Sequence, residues 1–335
     1  MSTEKDPDQI HTPPEMAIAE ADVRSEEAGE FVRGSSLWRD AWRRLLKNKL
    51  AVFGLIVVVI VTIASVLGPT IIKKTFGFTP DYIPSHDVKL SRSYPPFTGP
   101  NSEFSWLHPM GTDNAGRDQL ARVLQGGQIS LFVGIISTLV SLLIGVTYGA
   151  IAGYVGGRLD NVMMRIVDVL YSLPYVIVVI VLLSMFRSQT PRGQLILLFI
   201  ALGSISWLTM ARIVRGQVLS LKNQEFVLAA RATGVSATRI IFRHLVPNTL
   251  GPVIVYATLT VPQIMLAEAF LSFLGFGVQA PLASWGSLAA DGIQNIGVFP
   301  WQLIFPGVTM ALTLFSLNFL GDGLRDALDP QMRTV

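Results

Sequence analysis

Long uncharged apolar segments alternate with short charged segments along most of this chain. Six of them approach or exceed the roughly 20 helical residues needed to cross about 30 Å of hydrocarbon. They are residues 50–72, 123–157, 169–186, 193–211, 244–267 and 292–321. The pattern predicts an all-α polytopic membrane protein with six transmembrane helices.

The composition agrees with a membrane protein. Apolar residues make up 50% of the 335 residues and charged residues only 15%, which is unlike an ordinary soluble domain. The net charge of +3 does not indicate a nucleic-acid partner, because the basic residues are spread over the flanks of the apolar segments. We therefore expect a lipid bilayer around this chain and no nucleic acid.

The distribution of Lys and Arg predicts the orientation of the spans, because basic residues stay on the cytoplasmic side of a membrane. With the N-terminus inside, the cytoplasmic segments hold 18 of the 26 Lys and Arg residues. We therefore predict a multi-pass protein of the cytoplasmic (inner) membrane with both termini in the cytoplasm.

The remaining segments differ in composition. Residues 1–36 carry nine acidic and three basic side chains, which predicts a disordered cytoplasmic tail. Residues 37–49 predict an interfacial amphipathic helix, or a plain extension of the first span, with Leu37, Trp38, Ala41, Trp42, Leu45 and Leu46 on its apolar face. Residues 73–127 predict an extracytoplasmic loop, 128–325 a membrane domain of five helices, and 326–335 a cytoplasmic C-terminal tail. A short helix is expected near residues 284–293, before the last span.

The cytoplasmic segment 215–248 is too long for a plain connector and shows two short helical patterns. The first is predicted to have Asn223 as its N-cap, Glu225 in its first turn and Gly234 at its end. One face of this helix comprises Phe226, Ala229, Ala230 and Thr233. Ser236 is expected to cap the second helix, which Pro247 interrupts before the fifth span. The segment either docks another protein or packs on its own membrane domain.

Two other regions have competing interpretations. Residues 108–118 either contact an external protein or form a turn in which Asp113 caps a short helix through Leu124. Asp168 is expected at the cytoplasmic end of the third span. Glu268 is expected to snorkel towards the external surface rather than to contact substrate.

No residue pattern predicts catalysis or a bound cofactor. The sequence has no GxxxxGK[ST] phosphate loop and no cysteine. Its histidines, which lack ligand spacing, are His11, His86, His108 and His244. We expect no catalytic residue, no cofactor and no metal on this chain.

The cytoplasmic segment resembles the EAA signature of ABC importer permeases, which reads EAA, three residues, G, nine residues, I, x, L, P. Ala229, Ala230, Gly234 and Pro247 keep their places in this signature. The departures are Leu228 for the glutamate, His244 for the isoleucine and Val246 for the leucine. The surrounding run, from Arg231 to Gly234 and from Arg239 to Asn248, looks like the oligopeptide, dipeptide and nickel subgroup.

Further stretches resemble the second permease subunit of the same subgroup, in the same order along residues 37–330. They are 42–49 (WRRLLKNK), 108–118 (HPMGTDNAGRD), 268–275 (EAFLSFLG), 284–286 (SWG) and 321–330 (GDGLRDALDP). The ordered agreement of several motifs is specific.

The resemblance implies a type I ABC importer permease fold with cytoplasmic coupling helices. It implies four kinds of partner: a second homologous permease subunit, two ABC ATPase subunits carrying ATP–Mg²⁺, an extracytoplasmic solute-binding protein, and the bilayer. The implied ATPase-coupling residues are Glu225, Phe226, Ala229, Ala230, Thr233, Gly234, Arg239, Arg243, His244 and Pro247. The possible binding-protein contacts are His108, Gly111, Thr112, Asp113, Gly116, Arg117 and Asp118.

The expected activity is ATP-driven import of oligopeptides or dipeptides by alternating access, with hydrolysis on the ATPase subunits. Two alternatives stay open. The same machinery could import nickel or another small solute. An ion-coupled secondary transporter would instead show discontinuous helices, midplane carboxylates and an inverted repeat, and the sequence shows no such repeat.

Overall fold

The computed structural model describes residues 37–77, 79–83, 93–98 and 103–328, and this part of the chain is helical without a β-strand. The predicted tail at residues 1–36 lies outside the described residues, as do residues 329–335. The helices are α1 (Leu37–Lys47), α2 (Lys49–Phe76), α3 (Gln119–Val155), α4 (Gly157–Tyr171), α5 (Tyr175–Met185), α6 (Pro191–Leu221), α7 (Glu225–Ala232), α8 (Ala237–Arg239), α9 (Val246–Phe273), α10 (Trp285–Gln294) and α11 (Trp301–Leu328). A π-helical turn, Ile240–Leu245, joins α8 to α9.

Five of the described helices are long and apolar enough to cross a membrane. They are α2, α3, α6, the continuous helix Ala237–Phe273, and α11. A sixth span is obtained if α4 and α5 together form one bent span. The all-helical fold with about six spans agrees with the sequence prediction.

The predicted third span is not a single straight helix. The chain bends by 85° between α4 and α5. Pro174 lies in the break, where it lacks an N–H for the helical ladder and disfavours helical geometry in the preceding residue. With 11 residues, α5 alone is only about 16 Å long, roughly half the thickness of the hydrocarbon core.

Several predicted boundaries move. α6 continues to Leu221, so the first residues of the predicted cytoplasmic segment 215–248 belong to this helix. α3 begins at Gln119 rather than in the range 123–128, so the loop predicted for residues 73–127 ends at Asp118. The last span begins at Trp301, because the residues before it form α10 and a turn, and α10 confirms the short helix expected near 284–293. α11 continues to Leu328, so the first residues of the predicted C-terminal tail are helical.

α1 and α2 are separate helices rather than one extended span. Asn48 between them has extended backbone angles, and its side chain accepts hydrogen bonds from the first N–H groups of α2. Ala41 and Leu45 of α1 are buried against Ala51 and Ala327, whereas Trp42 is 53% exposed. This pattern fits the predicted interfacial helix, whose position in the bilayer stays a prediction.

The core lies between α3, α5, α6 and α9. α3 and α6 approach closely because α3 carries small residues on the shared face, and a Cβ on Gly149 would collide with the carbonyl of Ala211. Ile129, Val179 and Ile264 belong to one buried cluster that joins three of these helices. This packing holds the polar sites described below at the two ends of the bundle.

Candidate functional site

The α7 segment, which we define as residues 225–247, contains the predicted coupling residues. α7 begins at Glu225, and Gln224 rather than Asn223 occupies the N-cap position without a side-chain hydrogen bond, so the predicted Asn223 cap is wrong. Gly234 follows the helix with a φ of +78°, which confirms it as the residue that ends α7. Ser236 precedes α8 as predicted, but its side chain makes no capping bond.

α7 has a buried face and an exposed face. Val227 and Ala230 are buried in a cluster that includes Ile240 and Ile241 of the π-helical turn. Ala230 therefore does not share the exposed face of Phe226 and Ala229, as the helical period alone had predicted. The buried pair attaches α7 to the helix that continues into α9.

Pro247 does not interrupt the helix, so the predicted break before the fifth span is wrong. The N–H of Val246 bonds to the carbonyl of Ile241, five residues earlier, so the turn before Pro247 is wider than an α-helical turn. Pro247 itself has no N–H to donate, and in a regular α-helix its ring would collide with the carbonyl four residues back. The wide turn removes that collision, and the helix runs unbroken from Ala237 to Phe273.

Most of the predicted coupling residues are accessible. Glu225, Phe226, Ala229, Thr233, Gly234, Arg239, Arg243 and Pro247 are exposed, His244 is half-buried and Ala230 is buried. Sequence reasoning missed two apolar side chains on the same segment, Leu228 at 49% exposure and Phe242 at 47%. Both are large apolar residues in a charged segment, and neither belongs to its buried face. This property could have identified them from the sequence.

Polar contacts fasten the base of this segment to α3. The guanidinium of Arg231 lies over the ring of Tyr154, 5.0 Å from its centre. Lys222 donates to the carbonyl of Gly153 at 2.9 Å. The α7 segment is thus anchored on one side and open on the other.

Two ion pairs join α4 to α6 near the same end of the bundle. Arg215 donates to both carboxylate oxygens of Asp160, at 2.6 and 2.7 Å. Arg212 donates to Asp168 at 2.8 Å and also covers the ring of Tyr171, 4.3 Å from its centre. Asp168 therefore lies near the end of α4, exposed and paired beside the bend, and its position at the cytoplasmic end of a span stays a prediction.

The loop 108–118, which we call the external loop after its predicted position, is organised around Asp113. Its carboxylate accepts from the backbone N–H groups of Ala115 and Arg117, both at 2.9 Å, and pairs with the side chains of Arg117 and Arg122. Asp118, and not Asp113, caps α3 by accepting from the N–H of Ala121 at 2.7 Å. The predicted Asp113 cap is therefore wrong.

The external loop is also attached to α11. The hydroxyl of Thr112 accepts a hydrogen bond from the N–H of Tyr94 at 2.7 Å. The backbone carbonyl of Thr112 accepts hydrogen bonds from the side chains of Trp301 and Gln302, both at 3.2 Å. Nearby, partial desolvation raises the pKa of Asp291 in α10 above its usual range, and the positive charges of Arg122 and Arg117 act in the opposite direction.

The structure brings the predicted binding-protein residues together but gives them internal contacts. Gly111, Thr112, Asp113, Gly116 and Asp118 are buried, and His108 and Arg117 are half-buried, with His108 2.8 Å from Asp118. Close by in sequence, the rings of Phe104 and Trp106 meet edge to face and are 70% and 68% exposed. Sequence reasoning missed this aromatic group.

Glu268 is buried at 1% exposure, so the expectation that it snorkels to the surface is wrong. Its carboxylate accepts from the hydroxyls of Ser272 at 2.6 Å, Ser284 at 2.7 Å and Ser130 at 3.4 Å. No ion pair reaches it from the part of the chain that the structure describes. Ser284 is the N-cap of α10, so the positive end of that helix dipole also faces the carboxylate. Glu268 thereby joins α3, α9 and α10.

Comparison with known proteins shows what class of protein carries these features. The model of the binding-protein-dependent transport system inner membrane component family matches residues 145–334. The model of the N-terminal transmembrane domain of oligopeptide transport permease C matches residues 36–96.

Curated relatives match nearly the whole chain. The oligopeptide transport system permease protein OppC of Haemophilus influenzae is 47% identical over 302 residues, which cover 90% of this chain and 91% of that protein. The dipeptide transport system permease protein DppC of Bacillus subtilis is 45% identical over 332 residues, which cover 98% and 97%. A solved structure of the MetNI methionine ABC transporter in inward-facing form aligns with a TM-score of 0.49 and 18% identity, over 62% of this chain and 96% of that one.

These matches define a multi-pass permease of the ABC importer type. The chain belongs to the binding-protein-dependent transport system inner membrane component family, and its relatives place it beside the OppC and DppC permeases.

Proposed function

We propose that this chain is one of two homologous permease subunits of an ABC importer that carries peptides across the cytoplasmic membrane. The relatives that match almost its full length are named as oligopeptide and dipeptide permeases, which supports a peptide as the substrate. In the proposed complex, two ABC ATPase subunits bind and hydrolyse ATP–Mg²⁺, and an extracytoplasmic solute-binding protein delivers the peptide. This chain hydrolyses nothing itself.

The α7 segment is the proposed contact with an ATPase subunit, and we propose that it faces the cytoplasm with both chain termini. One observation carries this assignment: the segment keeps three large apolar side chains exposed, Phe226, Leu228 and Phe242, although its own buried face already uses Val227 and Ala230. Exposed apolar groups of this kind fit a protein partner better than water. Glu225, Ala229, Thr233 and Gly234 are accessible on the same segment.

The proposed mechanism uses the anchored side of α7. Binding of ATP closes the ATPase dimer and displaces the exposed face of α7. Because Val227 and Ala230 are packed against the π-helical turn, the displacement passes to α9. The permease then changes between outward-open and inward-open states, a population shift driven by contacts that differ between the two states.

The experiment is purification of the tagged chain in mild detergent, followed by identification of co-purifying proteins and reconstitution for uptake of labelled peptides. We expect a second permease, ATPase subunits and uptake that requires ATP. Uptake of nickel without uptake of peptides would contradict the assignment of peptides as the substrate. A single-chain preparation whose uptake follows an ion gradient and ignores ATP would overturn the importer assignment.

A further inference from the structure

A cavity of about 870 Å³ opens between α6, α9 and the bend that separates α4 from α5. No residue of the α7 segment or of the external loop lines it, although Ala267 and Ala269, the neighbours of Glu268, do. Its volume is in the range of sites that enclose a small organic ligand. Tyr171 and Tyr175, on either side of the bend, contribute to its wall.

Two stripes of polar side chains line this cavity. Tyr256, Thr260 and Gln263 follow one another at intervals of four and three residues, so they share one face of α9. Ser206 and Thr209 lie three residues apart on α6. The two stripes belong to different helices and border the same space.

Some of these groups are already engaged and others are not. Ser206 donates to the carbonyl of Leu202 and Thr260 to the carbonyl of Tyr256 within their own helices. Thr209, Tyr256 and Gln263 make no side-chain hydrogen bond to any residue that the structure describes. Three side chains of the cavity therefore have unused hydrogen-bonding capacity.

Gln263 lies well inside a helix that is long and apolar enough to cross a membrane. It precedes the last residue of α9 by ten positions, which is about 15 Å along the helix. An amide without hydrogen-bond partners is costly in hydrocarbon. Most of the other lining residues are Leu, Ile, Ala or Phe, so the cavity combines an apolar wall with a few polar groups, as ligand sites do.

The chemistry of the wall is neutral. None of the residues that line the cavity is Asp, Glu, Lys, Arg or His. The carboxamide of Gln263 both donates and accepts, like the peptide group of a polypeptide, and the hydroxyls of Thr209 and Tyr256 do the same. A neutral wall of this kind neither attracts nor repels a particular side-chain charge.

We infer that Thr209, Tyr256 and Gln263 form one wall of the translocation path and hydrogen-bond the main chain of the passing peptide, whatever the charge of its side chains. The inference rests on the proposed function as a peptide importer. Beyond that function, it names residues that contact the substrate and identifies the peptide main chain as the part that they bind.

Because the native chain has no cysteine, accessibility can be tested with single cysteines. Gln263→Cys and Thr209→Cys are introduced into the complete transporter in proteoliposomes and treated with a charged maleimide, with and without a tripeptide. Labelling is expected, and a tripeptide at ten times its half-saturating concentration should slow it by roughly tenfold, because about one site in eleven stays empty. Thr147→Cys is the matched control, since Thr147 is an exposed threonine of α3 outside the cavity, and its labelling should not depend on peptide.

Transport of three tripeptides with cationic, anionic and neutral side chains tests the mode of recognition. Gln263→Leu and Thr209→Val should each lower uptake by roughly two- to tenfold, the effect of one lost neutral hydrogen bond, and by the same factor for all three peptides. Thr147→Val should leave uptake unchanged.

Three outcomes would overturn the inference. Factors that differ between the charged and neutral peptides would show side-chain recognition. Cysteines that stay unlabelled in every condition would show that the second permease covers the wall. Native-like uptake by both cavity variants would show that these groups do not meet the substrate. In each case ATP-driven uptake by the native complex would still support the proposed function, whereas its absence would remove that function itself.

Discussion

The α7 segment and the external loop both contain a glycine with a positive φ, but the two glycines have opposite surroundings. A Cβ on Gly234 would meet nothing within 4 Å, whereas a Cβ on Gly111 would lie 2.5 Å from the carbonyl of Tyr94. Their φ angles are nearly equal, +78° and +74°. The same left-handed backbone conformation therefore occurs once at an open surface and once in a packed interior.

The difference extends to the residues around each glycine. Near Gly234 the predicted site residues are mostly exposed, and near Gly111 they are buried or half-buried by hydrogen bonds and ion pairs. Both segments carry motifs that resemble the same family. A family motif can thus lie on an accessible surface or in a packed interior. The sequence alone does not distinguish these cases, whereas the packing does.

The largest effect is expected from Asp113→Ala in the external loop. The change leaves Arg122, which is 4% exposed, without its ionic partner, and breaking a buried pair in this way costs about 3–5 kcal/mol. The variant should show a much lower Tm in detergent and poor yield. Glu103→Ala, which removes an exposed carboxylate close by in sequence, should leave Tm unchanged. A stable Asp113→Ala protein with lost peptide uptake would instead make Asp113 a partner contact.

A smaller and more selective effect is expected within α7. Ala229→Glu places a charge on the exposed face, so it should reduce ATP-driven uptake by at least about tenfold while stability changes by no more than about 0.5 kcal/mol, as is usual for surface sites. Ala230→Glu forces a charge into a buried position, so it should lower Tm as well as uptake. The pair is compared by Tm and by co-purification of the ATPase. Equal losses of Tm would contradict the two-faced description of α7.

The smallest effect is expected at Gly234. Gly234→Ala has space for its Cβ but must hold a left-handed conformation, which costs roughly 1–2 kcal/mol. Gly234→Asn should recover part of that loss, because asparagine adopts this conformation more readily. Thermal unfolding of the two variants measures the difference. If Gly234→Ala matches the native Tm, the turn does not require glycine.

The span pattern could be predicted from the sequence because hydrocarbon thickness sets a minimum length for uncharged segments. The structure departs from this pattern at two prolines, where the local backbone determines whether the helix breaks or continues. The break at Pro174 falls inside an apolar segment, so hydropathy gives no sign of it. The wide turn before Pro247 keeps a helix intact at a residue that usually ends one. In both cases the outcome depends on how the surrounding backbone adapts to a missing N–H.

Side-chain partners were harder to predict than elements. Glu268 lies at the end of an apolar span, and the sequence shows its position without the three serines that surround it, two of which are 16 and 138 residues away. Asp113 was predicted to cap α3, but its carboxylate pairs with Arg122, and Asp118 caps the helix instead. Tertiary contacts of this kind leave no periodic trace in a single sequence.

The unbroken helix from Ala237 to Phe273 has a mechanical consequence. It contains 37 residues and is therefore about 55 Å long, more than the thickness of the membrane. One end packs with α7, and the other carries Glu268 and its bonds to α10. If it moved as a rigid body, a helix of that length that tilted by about 10° around its midpoint would move each end by roughly 5 Å in opposite directions. In the proposed mechanism, the π-helical turn would therefore let a displacement of α7 and a displacement of α10 occur as one movement of the same helix.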